Sequence, residues 1–184
     1  MKKILSWLLI VALLFGCAPK APSPQATATE PAAEATPSNT TIEPEPAVEK
    51  QFRFSTTDLD GNAVDESIFD GYDLIMLNFW AYWCGPCVRE MPELEKLYQA
   101  YPNVLLLGVI VDDSDMEETR AIVENAGVTY PVLYPEGDLA KLAQNCQYIP
   151  TTFFLKPNGM LIDQPTVGSN DLSGWTRTVE GYLK

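Results

Sequence analysis

Two near-continuous apolar runs, Leu74 to Ala81 (LIMLNFWA) and Val104 to Val111 (VLLLGVIV), constrain the fold of this chain more than any other feature. Runs of this kind suit strands covered on both faces, as in a sheet with helices on either side. Between them, Gly85 to Ala100 reads as a helix, with Leu94, Leu97, Tyr98 and Tyr101 at three- and four-residue spacing on one face. Strand, helix, strand is the expected nucleus of an α/β domain.

The surrounding segments extend that nucleus. Gln51 to Tyr72 is polar and turn-rich, with Asp60-Gly61-Asn62 as a hairpin turn between short strands. Glu117 to Asn125 reads as a polar helix closed by Gly127. Asp138 is expected to cap a short helix ending at Asn145. Thr151 to Leu155 is a third strand. Pro157-Asn158-Gly159 suits a type I turn leading into Met160-Leu161-Ile162. A last helix spans Leu172 to Tyr182. The expectation is α/β, with a central mixed sheet flanked by helices.

Composition then narrows the chemistry. The chain has four Cys and no His. That excludes a Ser-His-Asp triad, a Cys-His pair, an HExxH zinc site and c-type haem attachment, each of which needs an imidazole. Cysteine is left as the strong nucleophile whose charge state can be tuned near neutral pH. The net charge is −13, from 12 basic and 25 acidic residues. A nucleic-acid binder needs a basic face, so no nucleic-acid partner is expected.

The first 50 residues look like an address and a tether. Met1-Lys2-Lys3 is a positive start, and Ile4 to Gly16 is a largely apolar run. Thirteen residues suit the core of a signal peptide, whereas a membrane span needs about 20. The ending Leu14-Phe15-Gly16-Cys17 resembles a bacterial lipobox. That resemblance implies cleavage after residue 16 and lipidation of Cys17, hence an extracytoplasmic protein anchored to the bacterial membrane. Residues 17–50 then form a linker. It carries seven Pro and eight Ala beyond Cys17 and no aromatic residue, so it cannot bury enough apolar surface to offset ordering entropy. Random-coil scaling gives it a reach of about 30 Å. Residues 51–184 are the expected folded domain.

The motif with chemistry is Trp83-Cys84-Gly85-Pro86-Cys87, set where the first buried strand turns into the helix. Cysteines at i and i+3 across a first helical turn can close a small disulfide or stand open as a dithiol. Cys84 meets the free N–H groups and dipole of the helix start, which favour a thiolate. Pro86 falls in the first turn, where its missing N–H costs little. Cys84 is thus the expected attacking thiolate and Cys87 the resolving thiol. Two other readings remain open. A zinc half-site would need four ligands, and only Cys146 and an unacylated Cys17 could add to it. A purely structural bridge would close too short a loop to stabilise much.

NFWAYWCGPC followed by YIPTTFF resembles the thioredoxin superfamily, over about residues 52–184. The chain is most similar to the membrane-tethered TlpA/ResA-like branch. The N-terminal hairpin region, a helical insertion over Asp112–Tyr134, and an acid three residues after Cys87 carry that likeness. Thioredoxin itself has a buried Asp six residues before its first Cys. Here that position is Asn78, which cannot accept a proton, and the acid is Glu90. By its spacing Glu90 shares a helical face with Cys87, and burial would raise its pKa and fit it to relay a proton. Its bland alternative is a surface Glu in the first helical turns.

The resemblance implies further roles. Ile149–Pro150 should be cis and stand against the cysteines, offering the Ile149 backbone to an extended substrate; otherwise Pro150 is a loop proline at a strand start. Trp83 would border the substrate groove, whereas Trp80 belongs to the core. Pro92 lies inside the first helix and removes one hydrogen bond, with a kink expected near it. Cys146 is a small buried hydrophobe or a partner in a further disulfide.

The expected protein is a thiol–disulfide oxidoreductase with no cofactor and no metal. The Gly-Pro pair leans toward a reductase of protein disulfides, recharged by a membrane thiol reductase. Substrates would be apocytochrome c cysteines or an extracytoplasmic methionine sulfoxide reductase. A disulfide-forming oxidant is one rival. A thiol peroxidase is another, although Ala81 stands where that chemistry usually has Thr or Ser. A copper carrier on this fold would need a His.

Overall fold

The computed structural model describes residues 52–184. The expected signal sequence over 1–16, Cys17 and the linker to residue 50 lie outside the described residues. A small antiparallel pair comes first, β1 (Ser55–Thr57) and β2 (Ala63–Asp65), followed by a 3-10 turn at Glu66–Phe69. Then come β3 (Leu74–Trp80), α1 (Gly85–Ala100), β4 (Val104–Ile110), α2 (Met116–Asn125) and β5 (Val132–Leu133). The domain closes with α3 (Asp138–Asn145), β6 (Thr151–Leu155), β7 (Leu161–Val167) and α4 (Leu172–Tyr182).

The five-stranded sheet runs β5-β4-β3-β6-β7. Strands β3, β4 and β5 are parallel; β6 and β7 join antiparallel. Both apolar runs lie at the centre, and every residue of β3 and β4 is buried. Alternation divides them between two cores. Leu74, Met76 and Trp80 meet Met91, Leu94 and Leu97 of α1 and Trp175 and Val179 of α4. Ile75, Leu77 and Phe79 meet Phe52, Phe54, Phe69 and Leu139 on the other side. Burial on both faces explains why neither run alternates with polar residues.

One strand is not expected from the sequence, and two local expectations change. Strand β5 is two residues long, too short to show a period, and it is defined by pairing with β4 at Gly108 and Val109. Strand β7 extends to Val167, beyond the Met160-Leu161-Ile162 expected from the turn. Asp138 does not cap α3. Gly137 holds the cap position at φ 59°, and the Asp138 carboxylate instead accepts the Arg53 N–H at 2.8 Å. Helix α1 continues through Pro92 to Ala100.

Candidate active site

Cys84 caps the N-terminus of α1 where β3 ends, and Pro86 lies in the first helical turn. Cys84 and Cys87 form a disulfide, with Cα atoms 5.3 Å apart. The Cys87 N–H reaches Cys84 Sγ at 3.3 Å, so a helix-terminal donor already faces the sulfur that becomes the thiolate on reduction. Cys84 keeps 5% of its surface exposed and Cys87 1%. Cys84 is therefore the sulfur more open to an incoming disulfide, and Cys87 stands behind it.

The Ile149–Pro150 bond is cis. It brings the carbonyl oxygen of Ile149 to 3.6 Å from Cys84 Sγ. Beyond it, Thr151 Oγ1 donates to the Tyr148 carbonyl at 2.7 Å and the Gly168 N–H to the Pro150 carbonyl at 2.8 Å, which ties the loop between α3 and β6 to the end of β7. Trp83 is 58% exposed, and its Nε1–H donates to Asp112 at 2.8 Å. Tyr148, two residues before Pro150, is 70% exposed. Trp80, by contrast, is buried in the core.

Glu90 is not a surface residue: only 2% of it is exposed. Its Oε1 accepts from Asn78 Nδ2 at 3.0 Å, and its Oε2 from the Asn170 backbone N–H at 3.1 Å. Both donors favour the carboxylate, but loss of hydration outweighs them and raises the pKa from 4.5 to about 7. A group poised there can take or give a proton near neutral pH. The same buried charge, acting after desolvation, helps push the Tyr130 hydroxyl above its ordinary range.

Two partners in this network carry no sequence motif. Asn78, singled out in the sequence only for lacking an acid, uses one amide nitrogen twice, for Glu90 and for Thr152 Oγ1 at 3.0 Å. The sheet register makes this possible, since Asn78 lies opposite Thr152 across the β3–β6 pair. Asn170 arrives from just before α4, 80 positions away. The Asn-to-Thr pairing could have been suspected from the shared strand centre; the Asn170 contact had no local signal. Cys146 is a free thiol, half-buried against the second core, and burial pushes it up to about 11.

A Cys-x-x-Cys disulfide at the mouth of α1, with a cis proline against it on a mixed five-stranded sheet, defines a thioredoxin-fold thiol–disulfide oxidoreductase. The AhpC/TSA family model matches residues 48–164. Thiol-disulfide oxidoreductase ResA of Oceanobacillus iheyensis is 32% identical over 135 residues, which cover 72% of this chain and 67% of that protein. The MTB dsbF structure, in mixed oxidized and reduced forms, superposes with a TM-score of 0.62 at 24% identity, over 72% of this chain and 96% of that one. StoA from Bacillus subtilis superposes at 0.57 and 23% identity, over 72% and 96%. These two structures bear on the fold alone. The chain belongs to the AhpC/TSA family, with relatives that are ResA thiol–disulfide oxidoreductases.

Proposed function

We propose that the protein is a reductase of extracytoplasmic protein disulfides, tethered to the bacterial membrane through a lipidated Cys17. Cys84 thiolate attacks one sulfur of a substrate disulfide and the other leaves as a thiolate. Cys87 then attacks Cys84 Sγ, closing the Cys84–Cys87 bridge and freeing the second substrate sulfur. Two electrons pass to the substrate. Glu90, ionised, takes the proton that Cys87 loses. A membrane thiol reductase returns the electrons. The substrates would be apocytochrome c cysteines or a methionine sulfoxide reductase.

The observation that carries the reading is the buried, doubly hydrogen-bonded Glu90 three residues after Cys87. It supplies a proton carrier to a pair that has no imidazole to serve it. The Gly85-Pro86 dipeptide supports the reducing direction. The rival peroxidase reading has Ala81, fully buried, where it would need a hydroxyl.

The midpoint potential of the Cys84–Cys87 couple, read beside a protein-disulfide reduction assay, tests the direction. A value near about −270 mV or lower is expected; one near about −120 mV makes the protein an oxidant. A Cys87→Ser variant, which cannot resolve the mixed disulfide, should hold the substrate covalently on Cys84 for identification by mass.

A further inference from the structure

Helix α4 begins beside the proton carrier. Its cap is Asp171, whose side chain accepts the Gly174 N–H at 2.8 Å. A Cβ on Gly174 would stand 2.9 Å from Asn170 Oδ1 and 3.2 Å from its Cβ and Cγ. Glycine at that position leaves room for the Asn170 side chain against the helix start, beside the backbone N–H that donates to Glu90 Oε2. One residue on, Trp175 is fully buried, in the same core cluster as Cys84 and Cys87. Its indole Nε1–H, like that of Trp80, makes no hydrogen bond of ordinary length and angle. An idle buried donor is costly, and each one calls for an explanation. Its nearness to the carboxyl favours the ionised form of Glu90.

We propose that the first turn of α4 is a clamp that positions the Glu90 carboxyl: Asn170 N–H holds Oε2, and Trp175 Nε1–H, idle in the present geometry, becomes its hydrogen-bond donor when Glu90 ionises. Asn170 and Trp175 are positioning residues, acting through Glu90 rather than on sulfur. The clamp ties the C-terminal helix to the redox pair. The groups facing Glu90 are Asn78 from β3, Tyr130 from the segment before β5, Asn170 from just before α4 and Trp175 from α4, and Cys87 lies three residues back on its own helix. Of these only Cys87 and Tyr130 titrate; in the oxidised protein Cys87 is silenced by its disulfide, and burial holds the Tyr130 hydroxyl far above neutral pH.

The idea rests on Glu90 being the proton carrier for its meaning in catalysis, but the clamp is measurable without it. In the oxidised protein, carbon-13 NMR of the Glu90 carboxyl is followed against pH. Trp175→Phe keeps the ring and loses the donor; Gly174→Ala displaces Asn170. Each is expected to raise the Glu90 midpoint by about one pH unit, since each removes a donor to the ionised form. An unchanged midpoint in Trp175→Phe overturns the proposal. The wild-type protein offers a second measurement that needs no stable variant. The Trp175 indole N–H resonance should move with the Glu90 midpoint, and the movement should vanish in Glu90→Gln; a resonance indifferent to pH overturns the proposal as well. The proton-carrier reading fails separately, if Glu90→Gln leaves the pH profile of Cys thiol alkylation unchanged while the clamp still titrates.

Discussion

Replacing Glu90 by Gln should flatten a pH dependence of stability that the wild-type protein carries. In the folded protein Glu90 keeps its proton up to about pH 7, against 4.5 for the ordinary carboxyl. A raised pKa means that the folded state binds the proton more tightly than the unfolded chain does. The associated stability is complete below about pH 4.5 and is lost as pH rises through 7. The rise from 4.5 to about 7 corresponds to a loss on the order of 3 kcal/mol between pH 4.5 and 8. The residue is almost wholly buried, so solvent screening takes little from that figure. Asp58, Asp65, Glu66 and Asp171 have lowered pKa values and act with the opposite sign, losing stability as pH falls below about 4. They are common to both proteins and cancel in the difference. The assay is urea unfolding of the two oxidised proteins from pH 4.5 to 8, with equal m-values as the condition for comparison. The wild type should lose about 3 kcal/mol relative to Glu90→Gln over that range. A stability difference that stays constant with pH would refute the argument, because a solvated or unshifted Glu90 is the only way to obtain it.

Three further outcomes follow from separate parts of the molecule. Gly137→Ala should cost about 2 kcal/mol or more in thermal or urea unfolding, since φ is +59° and a Cβ would stand 2.9 Å from the Arg53 carbonyl oxygen and Phe54 Cα; a change within about 0.5 kcal/mol contradicts this. Trp83→Ala loses one exposed hydrogen bond to Asp112, so stability should change by less than about 1 kcal/mol, while kcat/KM falls about tenfold for a protein disulfide and hardly at all for a small one; equal losses on both substrates would remove Trp83 from the docking surface. Cys146, with its thiol pushed up to about 11, should alkylate about a hundredfold more slowly at pH 8 than an ordinary free thiol, as mass mapping of the protein would show; rapid labelling would mean that the half-buried site opens.

What could be read from the chain was whatever local pattern and covalent spacing control. The apolar runs became β3 and β4, the Gly85–Ala100 and Leu172–Tyr182 helices fall at the predicted ends, and the cysteines stand at the strand-to-helix turn. Each of these depends on neighbours within a few residues, through periodicity, capping or turn chemistry. Where a third body intervened, local reading went astray. Asp138 looks like a cap, but its carboxylate is claimed by the Arg53 backbone, 85 positions away. Strand β5 exists because β4 offers it a ladder, and two residues alone cannot announce that.

The sequence by itself determined a Cys-x-x-Cys pair on a strand-helix-strand unit, with an acid one helical turn beyond. Only the tertiary structure decided what that acid is. An identical Glu on an exposed helix would titrate as an ordinary carboxyl. Here α4 closes over it, Asn78 and Asn170 reach it from β3 and from before α4, and the cost of removing water lifts it to about 7. Desolvation is a property of everything that surrounds a side chain, and no spacing along one helix records what the far end of the chain will bring to cover it.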